Sequence, residues 1–203
     1  MFFSSGDHVA YLELLRKHVE RLCIEVVAYC LMPNHVHLVL VPEQTDDLHC
    51  ALKAVHGQYA QRINRMKDQS GHFWQGRYFS SPLDSDYLIN AVRYVELNPV
   101  RAGIVARAEE FPWSSASAHC GLAGDRLVPF RPRSAQLTGI ADWSNWLRKG
   151  VSDQLVETIR KNGSQNLPCG SDAFIETLEK AARRTLRYRR AGRECEQKGD
   201  GHI

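Results

Sequence analysis

The chain has 203 residues, 43% hydrophobic and 24% charged, an ordinary globular balance with room for one sizeable core and an appended segment. A net charge of +3 permits nucleic-acid binding without demanding it, and six cysteines with no C-x-x-C pair argue against a structural zinc site. No apolar run reaches the eighteen or so residues of a membrane span, and Met1-Phe-Phe-Ser-Ser-Gly-Asp7 is no signal peptide, so the expected compartment is the cytoplasm.

From Ser4 to Arg21 the apolar residues Leu12, Leu15, Val19 and Leu22 recur at helical spacing. Cys23 to Tyr29 is β-branched enough to predict a strand, Met32-Pro-Asn34 turns the chain, and His35 to Val41 predicts an antiparallel return strand. A second helix opens at Thr45-Asp-Asp47, where acidic residues suit the dipole, and carries the stripe Leu48, Leu52, Val55, Tyr59, Ile63 and Met66. His72 to Ser80 predicts a third strand, with Gly76 marking a bulge or close approach. A third helix runs from Ser85 to about Leu97 and stops at Asn98-Pro99, because the residue before proline avoids helical geometry. Residues 121–140 are rich in Gly, Pro and Arg and predict a linker. Two further helices are expected over Asp142–Lys161 and Ser171–Tyr188, then a disordered tail at 191–203.

Two local patterns carry chemistry. Strand alternation puts His35 and His37 on one side, about 7 Å apart along the backbone, where two imidazoles can converge on one divalent cation. A bare His-x-His pair is more often two ordinary histidines. Tyr87, Tyr94 and Asn98 share one face of the third helix at seven- and four-residue spacing. For a tyrosine there, half-buried packing is the commoner role.

Taken together, Tyr29-Cys-Leu-Met-Pro-Asn-His-Val-His-Leu-Val-Leu40, His72-Phe-Trp-Gln-Gly-Arg-Tyr78, Arg93-Tyr-Val-Glu-Leu-Asn-Pro-Val-Arg-Ala-Gly103 and Phe111-Pro-Trp-Ser-Ser115 resemble the HUH single-tyrosine transposases, closest to the bacterial repeat-associated tyrosine transposases. The segment around Gly170-Ser-Asp-Ala-Phe174 resembles the extension that many such proteins carry. The resemblance implies an α+β fold, with a ferredoxin-like antiparallel sheet and helices on one face, spanning residues 1–120. A basic helical extension would follow over 141–190. Members usually begin with a strand ahead of the first helix, so the sheet is expected to lack its first strand.

The implied activity is cleavage and rejoining of single-stranded or hairpin DNA by a bacterial, cytoplasmic, nucleoid-associated enzyme. Mg²⁺ or Mn²⁺ would be held by His35, His37 and Asn98, and Tyr94 would be the nucleophile, with Tyr87 as rival. A tyrosine hydroxyl has a reference pKa of about 10, so forming phenolate at pH 7 costs about 4 kcal/mol, which a cation at the phosphate can offset. Arg77, Arg93 and Arg101 are candidate phosphate contacts, as are Arg183, Arg184 and Arg187 of the basic end. A homodimer is left open. Two other readings stand beside this one: a non-catalytic DNA-binding remnant of the family, and a metal-dependent phosphodiesterase using only the His-x-His pair.

Overall fold

The computed structural model describes residues 1–128 and 135–188; the expected disordered tail and Arg189, Arg190 and Arg193 lie outside the described residues. Helix α1 (Ser5–Arg21) begins where the Asp7 carboxylate reaches back to accept from the Phe3 and Ser4 N–H groups at 2.9 and 3.0 Å, satisfying donors the helix cannot. Strands β1 (Glu25–Met32) and β2 (His35–Val41) form an antiparallel hairpin across Pro33-Asn34, with Cys30 opposite His37 and Met32 opposite His35. A bulge at Val27 shifts the register once. The other edge of β1 is met by Trp113 to Ser115: Leu31 N–H donates to the Trp113 carbonyl at 2.8 Å, and Ser115 N–H to the Tyr29 carbonyl at 3.1 Å. Met1 and Phe2 close the hairpin end by donating to the Pro33 carbonyl. β1 is therefore buried almost throughout.

The two faces of the hairpin have different owners. Tyr29, Leu31, Val36, Leu38 and Leu40 face α1 and α2 (Thr45–Met66), meeting Tyr11, Leu15 and Val19 from the first and Val55, Tyr59 and Ile63 from the second. Cys30, Met32 and Val39 face α3 (Ser85–Glu96) through Ala91, Val92 and Val95. The order α1-β1-β2-α2 is the αββα portion of a ferredoxin-like arrangement, and the fold is α+β. The helices expected on one face are α1 and α2; α3 lies on the other face, the one that carries His35 and His37.

His72 to Ser80 is not the third strand that its aromatic content predicts, and the sheet among the described residues has two strands. Its side chains are anchored instead on α2. The Trp74 indole N–H donates to the His56 carbonyl at 2.9 Å, and Phe73 packs edge-on against Tyr59. Gly71, at φ +112°, lets the backbone turn back onto the helix, so anchoring wins over strand pairing. Phe73 and Trp74 are thereby packed against the core cluster of α1 and α2.

Leu97 ends α3, and the chain resumes at once as α4 (Asn98–Arg101), where Pro99 occupies a first-turn position whose missing N–H costs nothing. After a 3₁₀ turn (Ala108–Glu110) come α5 (Ala116–His119), α6 (Ala135–Thr138), α7 (Trp143–Arg148), α8 (Asp153–Ser164) and α9 (Asp172–Ala182). The single helix expected over Asp142–Lys161 is divided into α7 and α8 at Gly150, at φ +69°. Likewise α9 stops well before Tyr188, because Arg183 adopts a left-handed conformation.

The extension shares a core with the first part of the chain. Leu137, Trp143, Leu147 and Val156 are buried in the cluster that contains Val92 and Val95 of α3. Its later part is stitched to the start of the same helix. Asp84 caps α3 by accepting from Tyr87 N–H at 2.9 Å, and its second oxygen accepts from Ser171 N–H at 2.6 Å at the start of α9.

Candidate active site

Five of the residues singled out in the sequence line one cleft of about 210 Å³: His35, His37, Tyr94, Asn98 and Arg101. Arg160, which the sequence did not single out, lines it as well. β2 contributes the imidazoles, because alternation turns Val36, Leu38 and Leu40 towards α2 and the histidines towards α3. Tyr94, Asn98 and Arg101 follow at steps of four and three, and because α4 resumes the helical path after Leu97 they stay on one side.

The imidazoles meet at their tips: His35 Nε2 lies 3.0 Å from His37 Nε2 with the rings nearly perpendicular. His35 Nδ1 is 2.6 Å from the Asn34 side-chain oxygen. That oxygen can only accept, so Nδ1 carries the proton and Nε2 keeps its lone pair towards the cleft. Burial depresses both histidines. His37 is pushed down to about 3 by desolvation and then by the positive charges of His35, Arg101 and Arg160; His35 is lowered by desolvation. Both imidazoles are neutral at physiological pH, the state a metal ligand needs.

Asn98 is placed by Pro99. The proline has no N–H for the Val95 carbonyl, and the Asn98 amide nitrogen donates to that carbonyl at 3.2 Å and to the Tyr94 carbonyl at 3.0 Å. Both amide hydrogens are spent on backbone, which leaves the oxygen as the atom with ligating capacity. Tyr94 is 6% exposed; its ring stands edge-on to His37 at 5.7 Å, and the Arg101 guanidinium lies over it at 4.4 Å. Tyr87 lies seven residues earlier on α3, about 10 Å along the axis, beside Asp84 and Cys169, and does not line the cleft.

The donor set suits a divalent cation. Two nitrogens 3.0 Å apart match one edge of an octahedron whose centre is about 2.1 Å from each. Among the described residues no group of three or more His, Cys, Asp or Glu side chains could hold a metal. The ligands available are therefore two imidazoles and an amide oxygen, with the remaining positions left to water and substrate.

The other arginines have separate fates. Arg77 is exposed on the 72–80 segment, and Arg183 and Arg184 are exposed beyond α9. Arg93 is half-buried, donates to the Gly150 carbonyl at 2.9 Å and lies over the Trp146 ring at 4.2 Å, so it holds the extension. Arg187 pairs with Asp172 at 2.7 Å and lies within 4 Å of Glu176 and Glu179, which sets local carboxylates in competition with any phosphate.

The sequence reading passed over three residues that matter to this region. Asn34 orients His35, and its place beside the histidine was the available signal. Arg160 arrives from α8, and nothing in its local sequence points to the cleft. Glu96 is fully buried on α3. Its carboxylate accepts from Ser115, from His119 Nδ1 at 2.7 Å and from the Trp143 indole N–H at 2.7 Å, joining the edge of β1, α5 and α7 to the helix that bears Tyr94.

Fold and cleft together describe an α+β domain in which two histidines and one tyrosine line a single cleft. Residues 2–98 match the family described as "Transposase IS200 like". A Haemophilus influenzae protein described as a REP-associated tyrosine transposase is 28% identical over 120 residues, which cover 52% of this chain and 68% of that protein. A solved structure of a REP-associated tyrosine transposase bound to a REP hairpin is similar at 22% identity and a TM-score of 0.49, over 60% of this chain and 76% of that one. No described helix is long and apolar enough to cross a membrane.

Proposed function

We propose that the protein cleaves and rejoins single-stranded or hairpin DNA through a covalent 5′-phosphotyrosine at Tyr94, using Mg²⁺ or Mn²⁺ held by His35, His37 and Asn98. The observation that carries this reading is the convergence of both histidines, Tyr94 and Asn98 on one cleft, with Tyr87 outside it. The description of the Haemophilus influenzae relative as a REP-associated tyrosine transposase supports REP DNA as the substrate to test.

A bound divalent cation supplies Lewis-acid polarisation of a phosphate oxygen. The chain's own residues do the rest. His35 presents its Nε2 lone pair, with Asn34 fixing its tautomer, and His37 Nε2, which donates to it at 3.0 Å, would present its own lone pair once its proton sits on Nδ1. Arg101 places positive charge beside the tyrosine, where the attacked phosphate gathers negative charge. The Tyr94 oxygen bonds to phosphorus while the bond from phosphorus to the 3′ oxygen breaks; the phenolic proton is lost and the departing 3′ oxygen takes one up. The DNA 5′ phosphate stays on Tyr94 as a diester, which a second 3′-hydroxyl attacks in reverse to rejoin strands without a nucleotide cofactor. Arg77, Arg183 and Arg184 serve as outer phosphate contacts.

Incubation with labelled hairpin DNA and Mn²⁺, followed by denaturing electrophoresis, tests this reading. The parent protein forms a protein–DNA adduct. Tyr94→Phe loses it while binding stays within a few-fold, Tyr87→Phe keeps it, and chelator, His35→Ala or His37→Ala abolishes it. An adduct that survives in Tyr94→Phe and vanishes in Tyr87→Phe overturns the assignment. Cleavage without any adduct makes the protein a phosphodiesterase, and binding without cleavage makes it a DNA-binding remnant.

A further inference from the structure

Arg160 is the one residue of the cleft wall contributed by α8, and the sequence pattern of the transposase domain says nothing about it. α8 lies along α3 by burying Val156, with Ile159 packed beside it. Ile159 fixes the helix against the core, and the next residue, about 100° further round, is left exposed at the rim of the cleft. Across the opening stands Arg101, the end of α4. Among the described residues no carboxylate pairs with either guanidinium, whereas Arg187 is surrounded by three. Two guanidiniums without a carboxylate partner at one opening repel each other, and the stacking of Arg101 over Tyr94 leaves its N–H donors free for an anion. An anionic chain laid between them removes the repulsion and supplies both with acceptors.

We propose that Arg160 and Arg101 form a two-armed phosphate clamp that seats a single DNA strand across the cleft, so that the extension supplies half of the strand-binding machinery. Arg160 acts here as a positioning residue: it grips a phosphate of the bound strand and leaves the chemistry to Tyr94. The proposal rests on the cleft being a DNA site, and it does not require that the DNA be cut.

Salt-dependent binding decides it. The probe is fluorescent (dT)₂₀, and its dissociation constant is measured by anisotropy between 50 and 300 mM salt for the parent, Arg160→Ala, Arg160→Lys and Arg16→Ala. Arg16 lies on α1, and its removal lowers the net charge equally. The expected results for Arg160→Ala are roughly tenfold weaker binding and a salt slope shallower by about 0.7, one single-strand phosphate contact. Arg160→Lys should restore the slope, because a point charge still meets a phosphate. Arg160 is exposed, so its variants should keep the parent melting temperature; a matched melting temperature separates a lost contact from lost structure.

A slope and affinity for Arg160→Ala that match Arg16→Ala overturn the clamp. The hairpin adduct assay is run on the same proteins and keeps the two ideas apart. Arg160-dependent binding without adduct in the parent leaves the clamp standing and removes the cleavage reading. A normal adduct in Arg160→Ala, with the slope unchanged, removes the clamp and keeps cleavage. A parent that fails to bind (dT)₂₀ at 50 mM salt sinks the clamp.

Discussion

Replacing Glu96 by glutamine turns one oxygen into an NH₂ in a group that is fully buried, and the structure fixes what should follow. One carboxylate oxygen accepts from both Ser115 and His119, and the other accepts from the Trp143 indole at 2.7 Å. A glutamine that keeps its oxygen towards Ser115 and His119 aims its NH₂ at the indole N–H, donor against donor. The flipped amide satisfies Trp143 and lets the Ser115 hydroxyl turn to accept. His119 must then move its proton to Nε2, a buried atom that already has no partner. Either orientation strands one buried donor, at about 1–3 kcal/mol, and removes the charge assistance from the remaining bonds, so the expected loss is about 2–4 kcal/mol. Trp143→Phe deletes the opposing donor. The double variant should therefore be more stable than the sum of the single losses predicts, by about 1–3 kcal/mol. Urea unfolding at pH 7 with matched m-values measures all four proteins. A Glu96→Gln loss under about 0.5 kcal/mol, or strict additivity with Trp143→Phe, would refute the view that this carboxylate clasps α7 to α3.

Asn98→Asp should be less stable than Asn98→Ala, by urea unfolding, because a carboxylate would face the Tyr94 and Val95 carbonyls without a proton to donate. The expected losses are about 2–3 and about 1–2 kcal/mol, and an aspartate variant as stable as the parent would contradict the capping role. Gly170→Ala should cost about 1–3 kcal/mol and expose residues 165–171 to protease, since the new methyl would meet Phe174 and lie 2.8 Å from the Asp84 oxygen that holds Ser171. His56 should make the fold acid-sensitive. Desolvation pulls it from 6.5 to about 4, so the unfolded chain takes up its proton first, and the stability present above about pH 6.5 is lost as pH falls towards 4. The loss is on the order of 3 kcal/mol, and His56→Gln, which can keep a bond to the Tyr11 hydroxyl, should flatten the profile over that window.

What could be read beforehand follows the range of the interactions that decide it. α1 and α2 are visible as stripes because their burial is one-sided, and the β1–β2 hairpin is visible because Pro33-Asn34 punctuates two β-branched runs. His72 to Ser80 has the composition of a strand, yet its backbone is set by where Phe73 and Trp74 find Tyr59 and His56, a contact between segments that no local period encodes. The division at Gly150 and the end of α9 at Arg183 turn on single positive-φ residues, the scale at which boundaries escape pattern reading.

The same division runs through the site. A period of two places His35 and His37 on one side of a strand, and steps of four and three place Tyr94, Asn98 and Arg101 on one side of a helix, so each half is legible alone. That the halves face each other depends on α3 crossing the sheet face opposite α1 and α2, which the presence of the two patterns in one chain suggests but does not determine. Glu96 shows the limit more sharply. It lies two residues from Tyr94, and by composition it is an ordinary surface charge; its role exists only because Ser115, His119 and Trp143, from three other segments, bring donors to one buried point. A charge tolerated at zero exposure must have its partners supplied by the tertiary fold. In this protein those partners come partly from the extension, so the helix that presents Tyr94 to the cleft is held in place by residues beyond the segment that bears the family resemblance.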